Sequence, residues 1–562
     1  MDDFDCSWYH QQYNGKKVLF LVPHEDDEIN VGGDLPFYFQ KRGAQVFLCF
    51  ATNGDFLFQA RTRLTEALKS AACLGIPEKQ VYFLGYGDTS NEDRTSHIYH
   101  TGKVTKSHGG HSATYGLPSH PEFIWQQKKV HHSYTVSNYC QDLSLLLWTL
   151  QPDMIFCVDY DTHADHRMLS LCFEKEMGKI LQTPGNNYHP QVFKGFAYST
   201  AYETVRDFYA PFLSSTQRPE EKALSTTLIG RSIYQWNQRV RFPITRNTAT
   251  CFLHNNLLFH ALCCHRSQAA WHQAEQIING DKVFWERRTD SFSYQAKITA
   301  SSNQESSSKL QNFRLYDTRD IGLREPVFTG DCWVPSPDDS KKEILFQWDS
   351  SHQLRFLRIF GAMKNPVPIP KLIIRLDDGF TQEIGPLPLQ GKPLEIHLPE
   401  THKIRRCRIQ LHDAPADCGL AECEFFAQTI SDTFLAPLLK ITYQDNFLYH
   451  GMLNPDTSSV QLETYQSFPK RKVYWEILGN AQGARISQTG QLCLSPESRK
   501  ITVRACDLKH PDIFDQVILI KASHFQFLWL HSRQQAEKKI LGFLLKKQRK
   551  YYHIRQKYLK NV

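Results

Sequence analysis

The chain has no Gly-x-Gly-x-x-Gly after its first strand-like run, so it lacks the phosphate-cradling turn a dinucleotide-binding fold needs. Its fifteen cysteines show no Cys-x-x-Cys spacing. An odd, scattered set predicts reduced, mostly buried thiols rather than a disulfide scaffold or a zinc ribbon. No window approaches 18 uncharged apolar residues, which removes a membrane-spanning helix from the expectation. The first residues, Met1-Asp2-Asp3-Phe4-Asp5-Cys6, lack the basic-then-apolar order of a secretion signal. Together these absences predict a cytoplasmic protein.

At 562 residues, 41% hydrophobic and 12% aromatic, the chain is long enough for three or four ordinary cores. Its net charge of +7 is unevenly spread. Residues 531 to 562 hold ten Lys or Arg against Glu537 alone, a net +9, so the preceding 530 residues total −2. Basicity therefore belongs to the tail.

The chemistry-bearing residues gather at two strand ends. Val18-Leu19-Phe20-Leu21-Val22 reads as a strand buried on both faces, and it stops at Pro23-His24-Glu25-Asp26-Asp27-Glu28. A His three residues before a carboxylate can turn both toward one divalent ion. Alone, this cluster reads equally well as an exposed acidic loop capping the next helix. A second stretch shifts the balance. Pro152 to Asp161 forms another buried run ending in carboxylates, followed by His163-Ala164-Asp165-His166 at the head of an apolar helical stretch. Two strand ends far apart in sequence each deliver His and Asp to a helix start, where open α/β sheets hold ligands. A metal site is the better reading.

These residues resemble the PIG-L/LmbE family of zinc-dependent N-acetylglucosaminyl deacetylases, across roughly residues 14 to 290. The match adds Thr52-Asn53-Gly54-Asp55, Arg63-x-x-Glu66, Phe83-Leu84-Gly85 and His265-Arg266-Ser267-Gln268. Glu25 and Ala164 stand where the family has Pro, at positions that supply no ligand. The resemblance implies His24, Asp27 and His166 as metal ligands, for Zn2+ or Fe2+, with Asp26 as general base. It implies His163 as the imidazolium that stabilises the oxyanion, oriented by Asp165. Arg63 is the expected holder of sugar hydroxyls, with a salt bridge to Glu66 as its structural alternative. Asn53 and Asp55, at the next strand end, are expected to line the same substrate pocket, with His265 and Gln268 as weaker candidates.

The expected architecture is multidomain: an α/β Rossmann-like deacetylase domain with a mostly parallel sheet (residues 1–295), a Ser-rich linker (296–308) and two all-β sandwiches. The first sandwich (309–428), with Asp331-Cys332-Trp333 and a Trp348 strand, resembles discoidin/galactose-binding jelly rolls. The second (429–523) resembles immunoglobulin-like modules. A histidine-rich insertion between Asp88 and His132 reads as a lid or substrate wall, with a second metal site as its alternative. The tail, 524–562, is expected as a basic amphipathic helix whose apolar face is Ile540, Leu541, Leu544 and Leu545. The expected function is removal of an N-acetyl group from an amino sugar on a glycan or lipid-linked precursor. An amidase for another small amide and a non-catalytic glycan-binding scaffold are the competitors. Expected partners are the amino-sugar or glycan substrate and, through the tail, the anionic inner face of a membrane; no nucleic acid is expected.

Overall fold

The computed structural model describes residues 13–57, 59–89, 96, 98, 103–161, 163–197, 208–209, 213–217, 236–315, 332–362, 367–388, 392–431, 434–467 and 471–559. Its first unit is a seven-stranded sheet of β1 (Lys17–Val22), β2 (Gln45–Thr52), β3 (Val81–Tyr86), β4 (Met154–Val158), β5 (Gln191–Gly195), β6 (Val240–Pro243) and β7 (Asp281–Arg287). The spatial order is β3-β2-β1-β4-β5-β7-β6. Pairing is parallel from β3 through β5, and only the β5–β7 and β7–β6 pairs are antiparallel. Val18 through Val22 are fully buried, as a strand covered on both faces must be. Helices α1 (Asp27–Asn30), α2 (Leu35–Lys41), α3 (Ala60–Cys73), α4 (Phe123–Lys128), α5 (Val136–Leu150), α6 (Ala164–Gln182), α7 (Leu257–Leu262) and α8 (Ala274–Ile277) complete this unit.

The strand order positions the site. The chain winds outward from β1 through β2 to β3, then returns to lay β4 on the other side of β1. β1 and β4 are thus adjacent and parallel, with Val18 opposite Met154 and Leu21 opposite Cys157. Their carboxyl ends open side by side at the point where winding reverses, the crevice that α/β sheets use for ligands.

The Ser-rich segment expected as a linker is built into the next unit. β8 (Lys297–Ala300) pairs with β9 (Glu343–Gly361), and 3-10 turns over Gln304–Gln311 bury Ser307 and Leu310. Ser301 and Ser302 both donate to Asp339, and the Ser302 carbonyl accepts the Trp333 indole N–H at 2.9 Å. Serine composition does not separate a solvated linker from a turn whose hydroxyls satisfy local backbone. β10 (Lys371–Leu376), β11 (Thr381–Ile384), β12 (Leu394–His412) and β13 (Leu420–Phe426) complete an antiparallel sheet in which β9 and β12 run 19 residues each. Register breaks near His402 and Ile404 bend them around a core containing Trp333, Phe346, Trp348 and Phe425. The two tryptophans behind the jelly-roll resemblance are therefore core residues; Asp331 lies outside the described residues.

Three small sheets between Leu439 and Lys521 form a further all-β unit, which clasps the first. Buried Arg241 joins Asp281 at 2.6 Å to Asp445 at 2.8 Å, with its guanidinium 4.0 Å from the Phe447 ring centroid. The chain ends in α9 (His524–Leu559). Among the described residues no helix is long and apolar enough to cross a membrane.

Candidate metal centre

Beyond Val22 the chain turns so tightly that the Asp27 N–H reaches the His24 carbonyl. Asp26, at the corner, takes φ +137° although it carries a side chain, a strained backbone of the sort found at functional sites. From β4, Asp161 leads into His163, which caps α6: the Asp165 N–H donates to His163 Nδ1 at 3.2 Å. One helical turn into α6, His166 faces back toward β1. Three donor atoms converge there. Asp27 Oδ2 lies 3.1 Å from His24 Nδ1 and 3.1 Å from His166 Nε2, and the two nitrogens are 3.2 Å apart. Bonds of about 2.0–2.1 Å to a tetrahedral ion would set such atoms about 3.3 Å apart, so the donor set fits zinc or another small divalent metal.

The far side of each imidazole is backed by carboxylate. His24 Nε2 lies 3.1 Å from Asp88 Oδ1 and 3.2 Å from Asp165 Oδ2, while His166 Nδ1 lies 2.7 Å from Asp161 Oδ2. Such pairs fix the tautomer and orientation of a ligating ring. Asp165, expected to orient His163, sets its carboxylate against His24 and accepts the Thr89 N–H at 2.9 Å, while its backbone N–H donates to His163. Asp88 and Asp161, which back the two imidazoles, were given no role by the sequence reasoning. Both stand just past strand ends, as Asp27 and Asp55 do, and that shared placement was the available signal.

Electrostatics follow the crowding. Burial disfavours charged imidazoles, yet Asp88, Asp165 and Asp27 outweigh it and lift His24 well above its ordinary value. Asp161 and Asp27 likewise overcome burial and lift His166 to about 9. Burial would raise Asp27, but His166 and His24 hold it well below the usual carboxylate range. His163 goes the other way. Burial, followed by repulsion from His24 and His166, pushes it down to about 3, which disfavours the expected imidazolium. With Nδ1 accepting a backbone N–H, its proton sits on Nε2. Burial and neighbouring Asp27 push Asp26 up to about 6 despite Arg63.

Arg63 does not pair with Glu66, nor does it offer its guanidinium to open space. It is buried against the Glu25 carbonyl at 2.6 Å and against Asp26 Oδ1 and Glu25 Oε2 at 3.3 Å each, with Asp88 Oδ2 at 3.5 Å. Glu66 instead accepts from Ser267. Gly54, with φ +59°, admits this arrangement: a Cβ there would run into Arg63 and Glu25. Glu28 fixes Asp26 from the other side, accepting its N–H at 3.0 Å while binding Ser70 at 2.6 Å and His265 at 2.7 Å. Arg63, Glu28 and His265 are thus positioning groups for Asp26.

Asn53 is fully buried, its amide donating to the Gly85 and Tyr115 carbonyls, so it ties these segments together. Asp55 does line a cavity of about 1000 Å³, although its carboxylate also holds the Asp88 N–H, Ser107 and Tyr115. Thr62, Thr65 and Glu66, on the same helix as Arg63, form one wall; His108, His111 and Tyr115 of the insertion and Arg266 form others. The insertion therefore lines this cavity. Within it His120 bonds the Val81 carbonyl, His131 pairs with Glu122 and His132 with Asp142. Beside the His24–Asp27–His166 triangle, two further sets of donors meet at the same strand ends, His24–His163–His166 and His24–Asp88–Asp165; His97 and His100 lie outside the described residues.

An open α/β sheet with converging His and Asp donors at its switch point defines the class of the first unit. Residues 19–175 are a PIG-L domain, matching the family described as GlcNAc-PI de-N-acetylase. No curated protein matches the chain. Among solved structures, the N,N'-diacetylchitobiose deacetylase of Pyrococcus horikoshii in complex with an inhibitor is 17% identical, covering 51% of this chain and 88% of that one at a TM-score of 0.30. A fucose-binding module of Streptococcus pneumoniae is 20% identical over 24% of this chain and 95% of its own, with a TM-score of 0.20. A family 32 carbohydrate-binding module from Clostridium perfringens NanJ, in complex with galactose, is 10% identical over 23% and 92%, with a TM-score of 0.19.

Proposed function

We propose that the protein hydrolyses the acetamide of an N-acetylated amino sugar of the N-acetylglucosamine type, releasing acetate and a free amine. The observation that carries this reading is the His24–Asp27–His166 donor triangle with Asp26 strained and clamped beside it, inside a PIG-L domain. Zinc or ferrous iron held by those three residues would supply Lewis acidity, making water nucleophilic near neutral pH and polarising the amide carbonyl. Asp26 takes the proton that the attacking water loses and returns it to the departing nitrogen as the C–N bond breaks. Its raised proton affinity suits both halves of that exchange. Arg63 and Glu28 hold the carboxylate and backbone of Asp26 in place between the two transfers. His163 donates its Nε2–H to the carbonyl oxygen as negative charge develops there. The cavity beside α3 receives the remainder of the substrate, with Asp55 as part of its wall.

Metal analysis combined with free-amine release from a panel of N-acetylated sugars tests this, comparing wild type with Asp26→Ala. About one metal per chain and amine release reduced about 10²–10⁴-fold in the variant are expected. Metal without amine release from any acetylated sugar would redirect the reading to another amide. No metal and no release would leave a scaffold.

A further inference from the structure

The outward face of α9 bears an apolar stripe that is exposed among the described residues. Phe525, Leu528, Trp529, Ile540, Phe543, Leu544 and Tyr551 are between 52% and 77% exposed. Their spacings of three and four, bridged by exposed Ser532 and Ala536, keep them on one side of a 36-residue helix about 54 Å long. The opposite side holds the helix to the catalytic unit. Glu537 accepts from Tyr209 at 2.8 Å, from the Leu253 N–H at 3.1 Å and from the His254 N–H at 3.0 Å. Gln534 donates to the Cys251 carbonyl, Lys538 pairs with Glu275 at 2.9 Å, and Leu541 and Leu545 pack on the core. This divides the four leucine and isoleucine residues expected to share one face: Leu541 and Leu545 point inward, Ile540 and Leu544 outward.

Exposed Arg533, Lys539, Lys546, Lys547 and Lys550 lie among the outward apolar residues by the same helical spacing. Arg533 sits 4.8 Å from the Trp529 ring centroid and Lys547 4.7 Å from that of Phe543. We propose that this face is a docking surface for an anionic lipid bilayer, with the helix lying in the interface, its apolar residues among the acyl chains and its cations at the headgroups. Charge complementarity selects the occupant. The tail holds more than the whole net positive charge of the chain, so a second copy would bring like charges face to face. A phosphate backbone would satisfy the cations but leave the aliphatic and aromatic side chains in water. Long cationic side chains can extend their charges to the headgroup level while their stems cover the stripe.

Cosedimentation of the full chain with phosphatidylcholine vesicles, with and without phosphatidylglycerol, tests the surface. Binding to the anionic vesicles alone is expected, weakening as salt is raised. Phe543→Ser with Leu544→Ser should weaken it at least about tenfold, and so, independently, should Lys546→Glu with Lys547→Glu; none of these four side chains belongs to the docked face, so melting should be unchanged. Wild type that ignores both vesicles, or binds both equally, overturns the proposal, as do both double variants binding like wild type. A stable dimer, seen by sedimentation equilibrium without vesicle binding and dissolved by the serine pair, would assign the stripe to a second copy instead.

Discussion

One strand and the helix after it, β4 and α6, carry two clusters of buried charge with opposite logic. Toward β5, Lys194 is fully buried, donating to Ser170 at 2.7 Å and lying 3.3 Å from Glu174 and 3.5 Å from Asp159. Burial opposes its charge, but Asp159 and Glu174 outweigh that and raise its proton affinity. With Arg287 acting as a second cation, the charges are matched inside the cluster, and the result is a fastening. Toward β1, Asp161 and His166 join His24, Asp27, Asp88 and Asp165, and the donor atoms converge on one point. Besides Arg63 at Asp88, these carboxylates favour protons on His24 and His166, which a divalent ion would displace. Buried charge by itself is thus no evidence of function. Convergence of donors, with each imidazole backed by a second carboxylate, is.

The contrast can be broken most severely at Asp27→Asn. Removing one of three converging donors should drop metal content well below one per chain and bring amine release to background, as elemental analysis and the amine assay would read. Retained metal would erase the distinction between the clusters. Lys194→Met should act in the complementary way. It strands Glu174 and Asp159 in the interior and should cost about 3–5 kcal/mol of stability in denaturant unfolding, while metal per folded chain stays the same. Asp161→Asn leaves the donor triangle whole and loosens the backing of His166, for an expected loss of about 10–100-fold in metal affinity by competition with a chelator. The smallest effect belongs to another matched cluster, the Glu537 clasp on the tail helix. Glu537→Gln should cost about 1 kcal/mol. Burial would raise the Glu537 carboxyl, but the His254 N–H and ring, Tyr209 and Leu253 outweigh it and hold it below its ordinary 4.5. The folded state therefore favours the ionised form: the clasp is at full strength above about pH 4.5 and is lost as pH falls through the lower, folded value. Tail proteolysis should accordingly separate wild type from variant at pH 7 and cease to do so in strong acid.

Much of the catalytic unit was legible because its signals are local. Val18–Val22 and Met154–Val158 are apolar runs that need burial on both faces, and the first residues after each are the ones that reach the crevice. The motif residues His24, Asp27, His163 and His166 do meet there. What escaped sequence reasoning is what depends on neighbours distant in the chain. Arg63 is expected at sugar hydroxyls, or else paired with Glu66 on its own helix, whereas its partners come from the β1 turn and from Asp88. Asp165 was read against His163, two positions away, yet its carboxylate crosses to His24, 141 residues earlier. Ser301 to Ser308 looked like solvent-loving linker because composition does not register a strand partner 40 residues on.

The sequence alone determined where strands would end in His and Asp, that the tail would hold the positive charge, and that no long apolar span was present, since each follows from residue type and short-range spacing. Tertiary structure decided which carboxylates back the imidazoles, which residues clamp Asp26, and which side of the last helix docks on the first unit. Those outcomes turn on strand order and docking angle. Only when β4 is laid against β1 do donors more than a hundred residues apart come within about 3 Å, and no local pattern encodes a distance that the winding of the sheet sets.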